Sequence, residues 1–279
     1  MANVFYGSFY FVLNSDSSDI ISGMLSGTAL HAHTHVLPTL DCLGLRWVNL
    51  SFSAWTEWFT QRLDAPGGGM VTTANPEIWM QAQKDPLLRE VLKRSDACLP
   101  DGVGVLWASR ILGRPLQARL AGSDTLETIL PDLHGSVFLW GGQAGVALRA
   151  AEKLRAAGVA VAGAEWGYAE AAQERSIIET IMRSGARLVL LGMGSPKQEY
   201  LMARLYAHHP QAWYMGVGGM IDVLAGDQTR APQGWRRRGL EWVYRSLRQP
   251  GRIRRWPRLL GFAGQVLAIK MKGAETASV

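Results

Sequence analysis

Six short apolar runs, each followed by a stretch in which apolar residues recur every three or four positions, narrow most sharply what this chain can become. The runs are MVTTAN (70–75), ACLP (97–100), SVFLWGG (136–142), VAVAGAEWG (159–167), ARLVLLGMG (186–194) and AWYMGVGG (212–219). Between them lie segments such as GVALRAAEKLRAAG, AEAAQERSIIETIMRSG and SPKQEYLMARLYAHH, with the spacing of amphipathic helices. A run such as RLVLLG has no polar face, so a strand built from it must be covered on both sides. The pattern predicts an α/β fold in which a mainly parallel sheet is covered by helices.

Ligands of such sheets bind where the strands end at their carboxyl edge. The residues that fall there are Thr73 and Asn75, Asp101, Gly141 to Gln143, Trp166 to Tyr168, Gly194, Ser195 and Gln198, and Gly218 and Gly219. The loops WGGQAG, GMGSP and GVGGM let backbone N–H groups approach a phosphate, although tight turns alone explain many such glycines. Neither GxxxxGK[ST] nor a GxGxxG that opens a first βαβ unit is present, which argues against a P-loop or dinucleotide site.

With 279 residues, 48% of them hydrophobic, the chain can bury a sizeable core, either as one large domain or as a domain with an appendage. Cys42 and Cys98 cannot build a disulfide framework, and no CxxC, CxxH or HExxH spacing suggests zinc. No apolar run approaches the roughly 20 residues of a spanning helix, and the N-terminus lacks the pattern of a secretion signal. These features predict a protein of the reducing cytoplasm and give no sign of a zinc site, a thiol couple or another bound cofactor. Residues 1–42 are Ser- and Gly-rich without clear periodicity and are expected to form a weakly ordered extension. HAHTH (31–35) lies there without nearby acids or cysteines and reads as incidental composition.

The net charge of +6 is unevenly spread. From Arg230 onward, ten Arg and two Lys face only Glu241 and Glu275, a balance of +10 that leaves −4 for residues 1–229. An anionic partner is implied: nucleic acid, a membrane surface or substrate phosphates. In this tail arginine alternates with Trp235, Trp242, Tyr244, Trp256 and aliphatics, as in an interfacial helix. Residues 231–279 are therefore expected to be a basic, amphipathic helical appendage on a core spanning 43–230.

Asp101 stands in CLPDGVGVLW, between a proline and a glycine. It could simply cap a helix that starts near Gly102. However, the two glycines of DGVG each destabilise a helix by up to roughly 1 kcal/mol relative to alanine, and small residues beside a carboxylate leave room for a substrate. A carboxylate with access to a sugar hydroxyl can serve as general base. Gln198 also has two readings, since SPKQ has the form of a capping box and equally puts a polar side chain at a strand's ligand-facing end. Trp79 and Met80, on a helix, read as core.

In the order VTTANPEIW, DPLLREVLKRSDACLPDGVGVLWASRILG, ARLAGSD, VFLWGG, GMGSPKQEYL, GVGGMIDVLAGDQTRAP and GLEWVYRSLRQPGRIRR, these motifs resemble the WecG/TagA/CpsF family of bacterial glycosyltransferases. The resemblance covers Leu43 to about Arg258 and departs in detail at Ala74 and Ser123. It implies a Rossmann-like core with a C-terminal appendage at the membrane. It also implies inverting, metal-independent transfer of a sugar from a nucleotide diphosphate donor to an undecaprenyl-diphosphate-linked sugar on the inner leaflet. One branch of the family moves N-acetylmannosamine from UDP onto GlcNAc-diphospho-undecaprenol in teichoic-acid synthesis. Others transfer N-acetylmannosaminuronate or hexoses in capsule and exopolysaccharide synthesis.

The matching positions carry the family's roles: Asp101 as base, with Thr73 and Gln198 beside it in catalysis, and Asn75 and Arg119 in the substrate pocket. Gly142, Tyr168, Gly194 and Lys197 are the further expected substrate contacts. Arg230, Arg245, Arg248, Arg252 and Arg255 are expected to meet phosphates or anionic headgroups. Because a helix N-terminus favours an ionised acid, Asp101 could alternatively orient the hydroxyl while a substrate phosphate takes the proton. Arginines would take the place of the metal of a DxD motif, which this sequence lacks. The rivals are a nucleic-acid-binding protein, disfavoured by the absence of RNP, KH or helix-turn-helix signatures, and an inactive membrane scaffold. Self-association into a homo-oligomer stays open.

Overall fold

The computed structural model describes residues 37–239, 241–248 and 256–276. The chain opens with β1 (Thr39–Cys42), β2 (Leu45–Val48), α1 (Phe52–Asp64), β3 (Gly69–Ala74), α2 (Pro76–Ala82), α3 (Pro86–Arg94) and β4 (Ala97–Pro100). It continues with α4 (Val103–Ile111), α5 (Gly122–Ile129), β5 (Val137–Gly141), α6 (Val146–Ala156), β6 (Val161–Glu165), α7 (Ala171–Arg183), β7 (Leu188–Gly192) and α8 (Lys197–His208). The last elements are β8 (Trp213–Gly216), α9 (Met220–Ala225), α10 (Gln233–Arg237), α11 (Glu241–Arg248) and α12 (Trp256–Thr276).

The strands form one eight-stranded sheet in the order β1-β2-β4-β3-β8-β7-β5-β6. All neighbours are parallel except β1 and β2. The six apolar runs become β3 to β8, and all of them except the edge strand β6, which is only partly buried, are enclosed as two-sided hydrophobicity requires. Alternation along β4 shows the two faces: Ala97 and Leu99 enter one core with Trp55, Phe59 and Trp213, whereas Cys98 enters the other with Trp47, Trp79 and Leu88. Trp79 is buried, as expected for a core residue. After β4 the chain passes through α4 and α5 to β5 in the far half of the sheet, so the carboxyl ends of β3 and β4 stand apart from those of β5, β6 and β7, with β8 between them.

The β1–β2 hairpin has no counterpart among the expected strands, and Thr39–Cys42 fall within the stretch assigned to the N-terminal extension. Its turn is Leu43-Gly44, with φ of 58° and 72°. Such turns favour Asn-Gly, so the sequence carries no turn signal here. Leucine in the left-handed region is held in part by the Trp79 indole, which donates to the Leu43 carbonyl at 2.9 Å.

At the amino ends of the central strands, the Arg187 guanidinium donates to the carbonyls of Arg62, Leu63, Ala65, Gly67 and Gln211. Burial lowers its pKa from the ordinary arginine value, and Asp64 opposes that effect. The planar, five-donor fork suits this role, since it ties the α1–β3 connection to the amino ends of β7 and β8.

The helix α12 sets Phe262 edge-on against Trp79, with centroids 5.3 Å apart. Phe262 and Val266 are buried in the core cluster that contains α2 and α4. On its other side Leu260 is 75% and Met271 67% exposed. Among the described residues no helix is long and apolar enough to cross a membrane.

Candidate active site

The paired ends of β3 and β4 build the centre of the site. Ala74 and Pro100 are register partners, and the Asp101 N–H donates to the Ala74 carbonyl at 2.9 Å, so Asn75 and Asp101 leave the sheet side by side. Asn75 Oδ1 accepts from the Glu77 and Ile78 N–H groups and caps α2, with Pro76 at the first helical position. Asp101 does not cap α4. That position belongs to Gly102, at φ 115°, and no side chain caps the helix. A residue with a Cβ is strained at such a φ, so the DG pair is what turns the chain sharply behind the carboxylate. Gly104 packs so closely on Pro76 that an added Cβ would lie 2.6 Å from its Cγ.

Arg119 reaches Asp101 because the Leu120 N–H donates to the Pro100 carbonyl at 3.0 Å, pinning the connection to the end of β4. Arg119 Nη1 lies 3.9 Å from Asp101 Oδ1, and Nη2 lies 2.5 Å from Asp124 Oδ2. Asp101, Arg119 and Asn75 line one cavity of about 660 Å³. Glu77, Ser123 and Glu241 extend its polar lining. Trp107, Ile111, Trp242, Leu259, Phe262, Val266 and Leu267 form an apolar wall. Trp107 is 64% and Leu267 55% exposed, so apolar side chains continue from the cavity to the surface. The cavity thus combines a carboxylate, a guanidinium and an apolar wall.

Thr73 and Gln198 have other partners. The Thr73 hydroxyl donates to the Gly216 carbonyl at 2.9 Å. Gln198 is 2% exposed; its Oε1 accepts from the Gly218 N–H at 3.1 Å and its Nε2 donates to Glu199 Oε1 at 2.8 Å. The capping-box reading of SPKQ fails, because α8 starts after Pro196 with no side-chain cap and Gln198 turns inward to β8. The two side chains therefore fix the end of β8 from either side. Burial pushes the Glu199 carboxyl above the ordinary carboxylate range, while the hydrogen bond from Gln198 pulls it back.

The glycine-rich ends of β5, β6 and β7 form a second group. Gly142 and Gly194 take φ of 71° and 80°. The Gly142 N–H donates to the Gly192 carbonyl and the Gly167 N–H to the Gly142 carbonyl, which draws the three loops together. Tyr168 is 55% exposed. Lys197 Nζ lies 2.7 Å from Oε1 of the buried Glu174 and donates to the Gly167 carbonyl. None of Gly142, Tyr168, Gly194 and Lys197 lines the Asp101 cavity.

Arg230 is an internal hub. Its guanidinium is paired with Asp124 at 2.6 Å, Glu127 at 2.8 Å and Glu241 at 3.2 Å. Burial alone would lower its pKa, but the hydrogen bonds with Glu127 and Asp124 outweigh this and hold it above the ordinary arginine value. Arg245 and Arg248 lie on α11; Arg252, Arg255 and the histidines of 31–35 lie outside the described residues. Arg236 pairs with Glu127 and Arg258 with Glu77, so part of the tail's positive charge is used within the fold.

Burial raises both thiols, that of Cys98 to about 12, so neither is a reactive nucleophile. Among the described residues no three His, Cys, Asp or Glu side chains converge as a metal-ligand set. Reading the strand ends alone missed Asp124, Glu241, Trp107 and Trp242. Asp124 and Trp107 stand in ARLAGSD and CLPDGVGVLW, a few residues from groups already singled out, but their roles depend on contacts across the fold.

Comparison with known proteins accords with this geometry. Residues 40–276 match the model of the glycosyl transferase WecG/TagA/CpsF family. Over 215 residues, 75% of this chain and 82% of the relative, the chain is 35% identical to a Bacillus spizizenii protein. That relative is named N-acetylglucosaminyldiphosphoundecaprenol N-acetyl-beta-D-mannosaminyltransferase.

Proposed function

The chain belongs to the WecG/TagA/CpsF family of glycosyltransferases, and from that premise we propose that it transfers N-acetylmannosamine from UDP to GlcNAc-diphosphoundecaprenol, in teichoic-acid or related surface-polysaccharide synthesis. The observation that carries this reading is the shared cavity of Asp101 and Arg119, walled on one side by Trp107, Trp242 and α12. The relative's printed name supplies the substrates. The apolar wall is what a prenyl-linked acceptor needs next to a polar reaction centre.

In this mechanism the acceptor hydroxyl oxygen attacks the anomeric carbon of the donor sugar. The bond from that carbon to the β-phosphate oxygen breaks, and UDP leaves with the electron pair. Asp101 takes the hydroxyl proton. Arg119 answers the charge that develops on the diphosphate through charge-assisted hydrogen bonds, in place of a divalent ion. A single displacement inverts the anomeric centre.

A donor that spans the sheet edge would place its nucleotide over the glycine-rich ends of β5 to β7, near Tyr168, and its sugar near Asp101. It would then cross the end of β8. Thr73 and Gln198 would act here by holding Gly216 and Gly218 in place as the floor. Exposed Leu260, Leu267 and Met271, together with Lys270 and Lys272, would rest α12 on the cytoplasmic face of the membrane, where the acceptor lies.

The test incubates the protein with GlcNAc-diphosphoundecaprenol and a panel of UDP-sugars in the presence of EDTA, and weighs the lipid products by mass spectrometry. The reading requires one added N-acetylhexosamine, formed fastest from UDP-N-acetylmannosamine, with the inverted anomeric configuration by NMR. No lipid product from any UDP-sugar, or a strict need for a divalent ion, would overturn it.

A further inference from the structure

Among the described residues, Asp124 is a carboxylate that pairs both with the cavity arginine and with arginines of the C-terminal segment. Its Oδ2 accepts from Arg119 Nη2 at 2.5 Å, and its Oδ1 accepts from Arg230 Nη2 at 2.6 Å with Arg236 Nη1 at 3.8 Å. Arg230 in turn holds Glu241 at 3.2 Å, and Arg236 holds Glu127 at 3.0 Å. Glu241 and its neighbours Gly239 and Trp242 line the cavity. An unbroken series of ion pairs therefore runs from the cavity wall at Glu241 through Arg230, Asp124 and Arg119 to Asp101.

The two halves of this series place different demands on one side chain. Arg119 needs Asp124 turned so that Nη2 is bound while Nη1 stays 3.9 Å from Asp101. Asp124 is 23% exposed and carries only a short side chain, so the arginines on Oδ1 are what keep it from rotating. If Arg230 and Arg236 withdraw with the segment, Oδ1 loses its partners, and Arg119 is free to leave the bidentate arrangement that spans Asp101 and Asp124. Packed charge pairs of this kind have discrete arrangements, and a misplacement of about 1 Å costs on the order of a hundredfold in rate.

We propose that Asp124 is a positioning residue that makes the placement of Arg119 beside Asp101 conditional on the seating of residues 230–248. The catalytic consequence rests on the function proposed above; the coupling itself does not. By linkage, whatever the segment does to Arg119, Arg119 does to the segment.

Two measurements test it separately. In the transfer assay, Asp124→Asn is expected to lower kcat on the order of tenfold to a hundredfold while the donor KM changes much less. In the Arg119→Lys background the same change is expected to have almost no further effect, because its route to the reaction is already altered. Independent, multiplying losses in the double variant would overturn the proposal. Hydrogen exchange followed by mass spectrometry decides the coupling without any activity: Arg230→Gln should speed exchange both in residues 232–248 and in residues 117–123. Faster exchange confined to 232–248 would overturn the coupling even in a fully active enzyme. Absence of transfer by the wild type, with exchange coupled, would instead remove only the proposed function. Should Asp124→Asn fail to fold, Arg236→Gln, at the outer edge of the cluster, is put through the same two measurements.

Discussion

Replacing Phe262 with alanine should release α12 from the body of the protein without unfolding it. Phe262 is 5% and Val266 2% exposed, and on the described face of α12 these two are its buried side chains. Burying each contributes roughly 1.5–3 kcal/mol, so the helix is seated by about 3–6 kcal/mol before its own ordering cost. Phe→Ala substitutions in packed sites remove about 3–5 kcal/mol, which is most of that seat. The vacated volume adjoins Trp79 and the cavity, where nothing refills it. Since about 1.4 kcal/mol is tenfold in population, amide exchange in 257–272 should accelerate by roughly a hundredfold or more. Cooperative unfolding of the sheet should barely respond, with Tm moving by less than about 2 °C. A Tm lowered by roughly 6–12 °C with unchanged exchange in α12 would show instead that the helix is an integral part of the cooperative core, and would refute this reasoning.

Three further outcomes follow from particular side chains. Because burial raises the Glu199 carboxyl, the native state keeps its proton above the ordinary carboxylate range while the unfolded chain releases it, so this group's contribution to stability falls as pH rises from about 4 until the native group also ionises. Glu199→Gln should therefore gain in Tm relative to wild type between pH 4 and pH 8; a difference that stays flat or declines counts against a buried, protonated Glu199. Arg187→Lys keeps the charge but cannot reach five carbonyls at once, and urea unfolding should register a loss of roughly 3 kcal/mol, with an unchanged midpoint contradicting the clip. Leu260→Glu, on the exposed side of α12, should reduce co-sedimentation with phosphatidylglycerol vesicles about tenfold without altering Tm, and undiminished binding would place the membrane contact elsewhere.

The sheet was legible because strands buried on both faces must be written in apolar residues, and β3, β4, β5, β7 and β8 are, while β6, at the edge, is only partly buried. The β1–β2 hairpin was not, because Leu43-Gly44 uses a conformation that asparagine usually signals and depends on the Trp79 indole, which is distant in sequence. Asp101 and Asn75 could be read from their place after adjacent strands. Gln198 follows a strand end as well, but the phase of α8 points it to Gly218 rather than to the cavity. Arg230 belongs to a tail whose composition suggests phosphates, yet its partners include Asp124, 106 residues earlier in the chain. No local pattern announces such a pairing. Trp107 follows the helical spacing of a core residue and is nevertheless exposed at the cavity, since α12 covers only part of α4.

The central claim, that the Asp101 carboxylate activates the acceptor in a cavity shared with Arg119, is tested most directly by single-turnover transfer with Asp101→Asn. The substitution keeps the shape of the side chain and leaves the β4 ladder intact. The account predicts an unchanged Tm and turnover lowered at least a hundredfold. Turnover close to that of the wild-type protein would contradict it.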